Sequence, residues 1–190
     1  MNVIKLLLAF APWIVFGLIA GQSFFSLEIA IIISLAIAVI LGYKQMRKGY
    51  ILPWVTFLFF ILIFIAIVLM KNMWVASHVG ILSYGTLVVV TWGFLLIGHP
   101  FTLQYAKEEV DKSLWDNPTF IRTNQIITAF WGVIFLVDLG INYYKFNHHG
   151  VGGWSFEVAG WILILIGLVF TVEYTKYVRK RRQQEETVIN

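Results

Sequence analysis

The sequence predicts an all-α membrane protein: a polytopic helix bundle of about six transmembrane helices, with a short interfacial helix between spans four and five. Three observations carry this reading. Hydrophobic residues make up 59% and charged residues 13% of the 190 positions, with a mean hydropathy of +0.81, which leaves a soluble domain of this size too little polar surface. Apolar runs near 20 residues, the length a helix needs to cross about 30 Å of hydrocarbon, recur along the chain. Basic residues gather at the ends of those runs, so the net charge of +4 reads as a topology signal rather than a nucleic-acid footprint.

The first span is expected at about Val3–Ala20 and the second at about Phe25–Tyr43, joined by the uncharged turn Gly21-Gln22-Ser23. After the basic loop Lys44–Gly49 the third runs from about Ile51 to Met70, and Lys71-Asn72 returns the chain into a fourth at about Trp74–His99. A longer polar segment, 100–117, precedes the fifth at about Thr119–Tyr144. His148-His149-Gly150 and Gly152-Gly153 mark a turn into the sixth, about Trp154–Tyr177. The runs are apolar on all sides and lack strand-length alternation, which argues against surface helices and a β-barrel. No internal repeat is visible. Residues 1–182 therefore read as one transmembrane domain and 183–190 as a short cytoplasmic tail.

Of the 14 Lys and Arg residues, 12 fall on one side of this map and only Lys71 and Lys145 on the other. The positive-inside rule then puts both termini, the 44–49 loop and the 100–117 segment in the cytoplasm. A competing reading makes Lys5 and the run ending Leu18-Ile19-Ala20 a signal peptide. Its removal would leave five spans and set the most basic regions against the charge rule. The cluster Arg179, Lys180, Arg181 and Arg182 is expected to hold anionic lipid among the membrane lipids.

In the connector, Leu103, Ala106, Val110 and Leu114 recur at helical spacing, with Lys107, Glu108, Asp111 and Lys112 mostly between them. This predicts an interfacial helix over Pro100–Trp115, anchored by Trp115. Asn117-Pro118 then reads as the N-cap and first position of span five. The string Pro100-Phe101-Thr102-Leu103-Gln104-Tyr105-Ala106-Lys107-Glu108, followed by Trp115, Pro118, Phe120, Asn124, Thr128 and Trp131-Gly132, resembles a group of uncharacterised bacterial inner-membrane proteins. The opening Lys5-Leu6-Leu7-Leu8-Ala9-Phe10-Ala11-Pro12, the short hairpins and Gly98-x-Pro100 more distantly resemble the intracellular septation protein A family. The resemblance implies a multi-pass protein of the bacterial inner (plasma) membrane, part of the cell envelope, and brings no assigned active site.

Within the spans, Asn124, Thr128, Trp131, Phe135, Asp138 and Asn142 share one face of span five, predicted to point inward. Glu157, Gly160, Ile164, Gly167, Thr171 and Tyr174 form a stripe on span six, predicted to be a helix–helix seam. Asp138, Glu28, His78 and Glu157 all fall in the non-cytoplasmic half, as a candidate intramembrane polar site. As hard-cation ligands, zinc ligands or a proton relay they would act together; otherwise Glu28, His78 and Glu157 sit near headgroups and leave Asp138 as the one deep charge. A second candidate cluster, His99, Tyr105, Glu108, Arg122 and Glu173 with Gln125, lies toward the cytoplasm, where Arg122 with Glu108 or Glu173 would pin the connector to spans five and six.

With no cysteine, disulfide and thiolate chemistry are excluded. No Gly-x-Ser-x-Gly, Walker, His-Glu-x-x-His or Gly-x-Gly-x-x-Gly pattern is present, and no catalytic, cofactor-binding or metal motif is legible. Two functions remain. The one preferred from sequence is an envelope protein acting by protein–protein interaction, through the small-residue seams and the connector, on membrane-protein partners or copies of itself. The alternative is a small proton- or cation-coupled transporter or channel using Asp138.

Overall fold

In a computed structural model that describes residues 3–21, 23–148 and 154–189, the chain is an all-α polytopic bundle. Its helices are α1 (Val3–Ile19), α2 (Phe24–Arg47), α3 (Ile51–Ile63), α4 (Met73–Leu96), α5 (Phe101–Lys107), α6 (Pro118–Asn147) and α7 (Trp154–Ile189). The wider-wound turn Phe64–Leu69 continues α3, and Ile51–Leu69 together form one apolar rod. Among the described residues five rods, α2, α3 with its extension, α4, α6 and most of α7, are long and apolar enough to cross a membrane. At 17 residues, α1 is at the short end of spanning length. Helix α7 continues beyond the expected end of span six, to Ile189.

Local chemistry sets the breaks between rods. Ser23 caps α2 by accepting from the Ser26 amide at 3.1 Å, and Lys44 and Arg47 lie in its last turn, where cations suit the carbonyl end of the dipole. Asn72 caps α4 by accepting from the Val75 amide at 3.1 Å. Helix α4 stops at Gly98, whose φ of +79° suits a residue without Cβ. There His99 N–H donates to Phe94 O and Gly98 N–H to Leu95 O, the paired bonds of a Schellman end. As the sequence predicts, Asn117 caps α6, accepting from the Thr119 and Phe120 amides, with Pro118 at the first helical position.

The rods pack as two groups. Helices α1, α2 and α3 surround an apolar core containing Phe16, Ala30, Ile31, Phe60 and Ile67. Helix α4 lies along α6, which also carries α7 and α5, around Phe101, Tyr105, Ile127, Trp131 and Phe135. Leu6 and Phe10 of α1 join this second core, so α1 is shared. Lys5, the Lys48 turn and α5 meet at one end, here the basic end; Lys71 and Lys145 mark the opposite end.

The connector differs from expectation in extent and placement. Helix α5 ends at Lys107, not Trp115, and Phe101, Thr102, Leu103, Tyr105 and Ala106 are buried in the bundle rather than laid on its surface. Glu109 N–H closes a tight turn onto Ala106 O, and Asp111 accepts from the Ser113 amide to start a separate single turn, Lys112–Leu114. Trp115 then folds back, its indole N–H donating to Lys107 O at 3.1 Å with Lys107 and Lys112 against its ring. Leu114 and Val110 therefore do not continue the α5 face, and helical spacing alone misread this stretch.

Candidate functional site

Of the predicted inward face of α6, Asn124, Thr128, Trp131, Phe135 and Asp138 are each at most 3% exposed, while Asn142 is half-buried on the wall of the cavity described below. Polar members near the basic end are partly satisfied locally, Asn124 Oδ1 being buried with no hydrogen-bond partner among the described residues. Thr102 Oγ1 donates to Asn124 O and lies 2.8 Å from Thr128 Oγ1, while Asn124 Nδ2 donates to Phe120 O. Trp131 donates its indole N–H to Thr171 Oγ1 at 3.1 Å, locking α6 to α7. The α7 stripe is the expected seam. A Cβ on Gly167 would sit 2.8 Å from both Ile134 and Trp131, and one on Gly160 would sit 3.3 Å from Asp138 Oδ1. Only glycine lets these backbones approach so closely.

Above this floor the groups part. A cavity of about 590 Å³ lies among α1, α2, α4, α6 and α7. It runs from the exposed Gly21, Ser23, Ser77 and Glu157 at the end opposite the basic loop down to Phe10, Leu87 and Trp131. Asp138 lines it, and its Oδ2 is buried with no hydrogen-bond partner among the described residues. An ionised carboxylate in such surroundings is costly unless a cation or proton joins it. Asp138 lies 9 positions from the end of α6, about 13 Å at the rise of a helix.

The three acids and the imidazole expected as one polar site do not converge. Glu28 is held by Lys71 and does not line the cavity. His78 is also outside it: its Nδ1 lies 2.7 Å from Trp74 O, and its ring packs between Trp74 and Phe146. Glu157 lines the mouth, 60% exposed, with one oxygen 3.8 Å from Lys145 Nζ. Among the described residues, no group of three His, Cys, Asp or Glu is placed to hold a metal. Side-chain direction explains the scatter, since residues at one depth on different helices meet only if their faces turn together. His148 closes α6 against Tyr144; His149 lies outside the described residues.

The second cluster is also rearranged. Glu108 pairs with Lys48 at 2.6 Å and Lys5 at 2.9 Å, and Glu109 with Lys5 at 3.4 Å, so the ion pairs of the connector run to α1 and the α2–α3 turn rather than to Arg122 of α6 or Glu173 of α7. Tyr50 adds a hydrogen bond to Gln104 O, and Gln104 Oε1 accepts from the Ile51 amide. The Lys48 hydrogen bond, and then that from Lys5, hold the Glu108 carboxyl at about 2, below its usual range. Glu173 instead meets Lys176 on its own helix, Arg122 is exposed with no ion pair among the described residues, and His99 is exposed. Tyr105 is buried edge-on to Tyr50, and burial raises its hydroxyl pKa.

No family model, curated protein or solved structure matches this chain. The site must therefore be read from its own chemistry. Lys5, Lys48, Tyr50 and Gln104 at the basic end were missed as partners, as were Tyr84 and Trp161 on the cavity wall. For Lys5, Lys48 and Glu108 the available signal was their shared side in the charge count.

Proposed function

We propose that this protein is a small membrane carrier for a cationic solute, with Asp138 as the binding carboxylate. The observation that carries the proposal is the buried Asp138 carboxylate, its Oδ2 without a hydrogen-bond partner among the described residues, on the wall of a 590 Å³ cavity within the apolar bundle. Cavities of this size take small-molecule ligands, and deep membrane carboxylates usually mark solute or proton paths. The basic end is read as cytoplasmic from the distribution of Lys and Arg. On that reading the cavity is entered from outside, and the bacterial inner membrane remains the expected location.

The protein-interaction reading draws less support. Its small-residue seam on α7 is filled by Asp138, Ile134 and Trp131 of the chain's own α6. Its connector is tied down by Lys5 and Lys48.

Reconstitution in liposomes tests the proposal, with imposed membrane potentials and a panel of protons, Na⁺, Mg²⁺ and organic cations. Flux above protein-free vesicles is expected for at least one of them and should be lost in Asp138→Asn. Absence of flux for the whole panel, or unchanged flux in Asp138→Asn, would reject it.

A further inference from the structure

Resting on the carrier reading and using the same cavity, we infer that the ligand is an amphipathic organic monocation, with delocalised or alkylated positive charge, held between Asp138 and an aromatic wall.

Charge gives the valence. Among the described residues the cavity is lined by three charged side chains, Asp138, Lys145 and Glu157. Lys145 and Glu157 lie 3.8 Å apart at the mouth and offset each other. Asp138 remains as one unbalanced negative charge, 1% exposed and unpartnered at Oδ2.

The donor set argues against a bare metal ion. Divalent hard cations take six or more oxygen ligands, or several retained waters on a polar lining. Among the described residues Asp138 is the single carboxylate at depth, and the lining it belongs to combines the rings of Phe10, Trp13, Phe16, Phe135 and Trp161 with the neutral polar groups of Ser83, Tyr84 and Asn142. With no group of three His, Cys, Asp or Glu among the described residues, this lining is a poor substitute for the hydration shell of a compact divalent ion. It suits a weakly hydrated cation, which gains cation–π attraction from ring faces and loses little water on entry.

The carboxylate is closely flanked on the α7 side, where a Cβ on Gly160 would sit 3.3 Å from Asp138 Oδ1 and 4.0 Å from the Tyr84 hydroxyl. Trp161, one residue on, reaches across to Gly17 of α1, where its ring lies 3.5 Å from the site of a Cβ. Asp138 and the Trp161 indole, which spans between the two helix groups, line the same cavity, so a ligand large enough to bridge them meets both.

The test is binding in detergent by the full chain, with tetraphenylphosphonium as probe and tetraphenylborate as its anionic counterpart of the same shape. Saturable tetraphenylphosphonium binding is expected, weakened at least about tenfold in Asp138→Asn and in Gly160→Val. Trp161→Leu should weaken it less. Tetraphenylborate should show no binding sensitive to Asp138. Each variant is compared only where its elution profile and unfolding midpoint match the parent, and Trp161→Leu is the fallback if Gly160→Val does not fold. Equal tetraphenylphosphonium affinity in parent and Asp138→Asn, or Asp138-sensitive binding of tetraphenylborate, would overturn the inference. Flux of Na⁺ or protons without tetraphenylphosphonium binding would also overturn it while leaving the carrier reading. Binding without flux of any cation would sustain the inference and sink the carrier reading.

Discussion

Gly167→Ala should destabilise the bundle at a seam where little can yield. The added methyl would sit 2.8 Å from Ile134 Cδ1 and 2.8 Å from Trp131 Cη2. The Trp131 ring stacks on Phe10 at 5.2 Å, and its indole N–H is held by Thr171, whose hydroxyl in turn donates to Gly167 O. Relief must come from moving α7 away from α6. Overpacking of this kind costs about 1–3 kcal/mol, and the better helix propensity of Ala returns at most about 1 kcal/mol. With about 1 kcal/mol returned, the expected net loss is about 0–2 kcal/mol. Unfolding in mixed detergent micelles, followed by tryptophan fluorescence, measures it. Gly140→Ala is the control, since a Cβ there meets nothing within 4 Å, and it should be neutral or slightly stabilising. Adding Trp131→Phe to Gly167→Ala should recover part of the loss by shrinking the ring. Equal stability of Gly167→Ala and Gly140→Ala would refute the claim that this glycine is a packing requirement.

Three further outcomes are expected. Because the Glu108 carboxyl is held at about 2 against a usual 4.5, its stabilising effect is present above pH 4.5 and is lost as pH falls from there toward 2. With partly exposed lysines as partners this amounts to about 1 kcal/mol. The stability gap between parent and Glu108→Gln should shrink between pH 6 and 3, and a constant gap would count against the ion pairs. In the connector, Phe101→Ala should cost about 3 kcal/mol and expose the segment to protease, because the ring is 1% exposed and packs edge-on against Phe10. Val110→Ser with Leu114→Ser should have a much smaller effect; the reverse order would restore a continuous interfacial helix. The cysteine-free chain permits single-cysteine labelling: Lys48→Cys, Lys112→Cys and Lys180→Cys should label from the cytoplasm and Asn72→Cys from the opposite side. One reversal would undo the orientation.

What the sequence makes legible here follows from which forces are local. The rods are visible because burial of apolar side chains in lipid imposes length and composition on each segment separately. Their caps at Asn117-Pro118 and Gly98 are visible because capping uses neighbouring residues. The inward face of α6 is visible because its polar and aromatic residues repeat at helical spacing. The connector was misread for a related reason: the spacing of Leu103, Ala106, Val110 and Leu114 fits one helix, but Asp111 has a closer use as a cap and Trp115 a closer partner in the Lys107 carbonyl. Partner choice across helices was not legible. Glu28, His78, Asp138 and Glu157 share the half of the bundle opposite the basic end, yet only Asp138 and Glu157 turn toward the same space. Glu108 had many basic residues on its side, and its choice of Lys48 and Lys5 depends on how α5 is seated. That seating is set by Phe101 and Tyr105 inserting beneath Phe10 and beside Tyr50, an apolar fit that decides the charge pairing. Electrostatics selects the side of the membrane for each segment; packing then selects which charges meet.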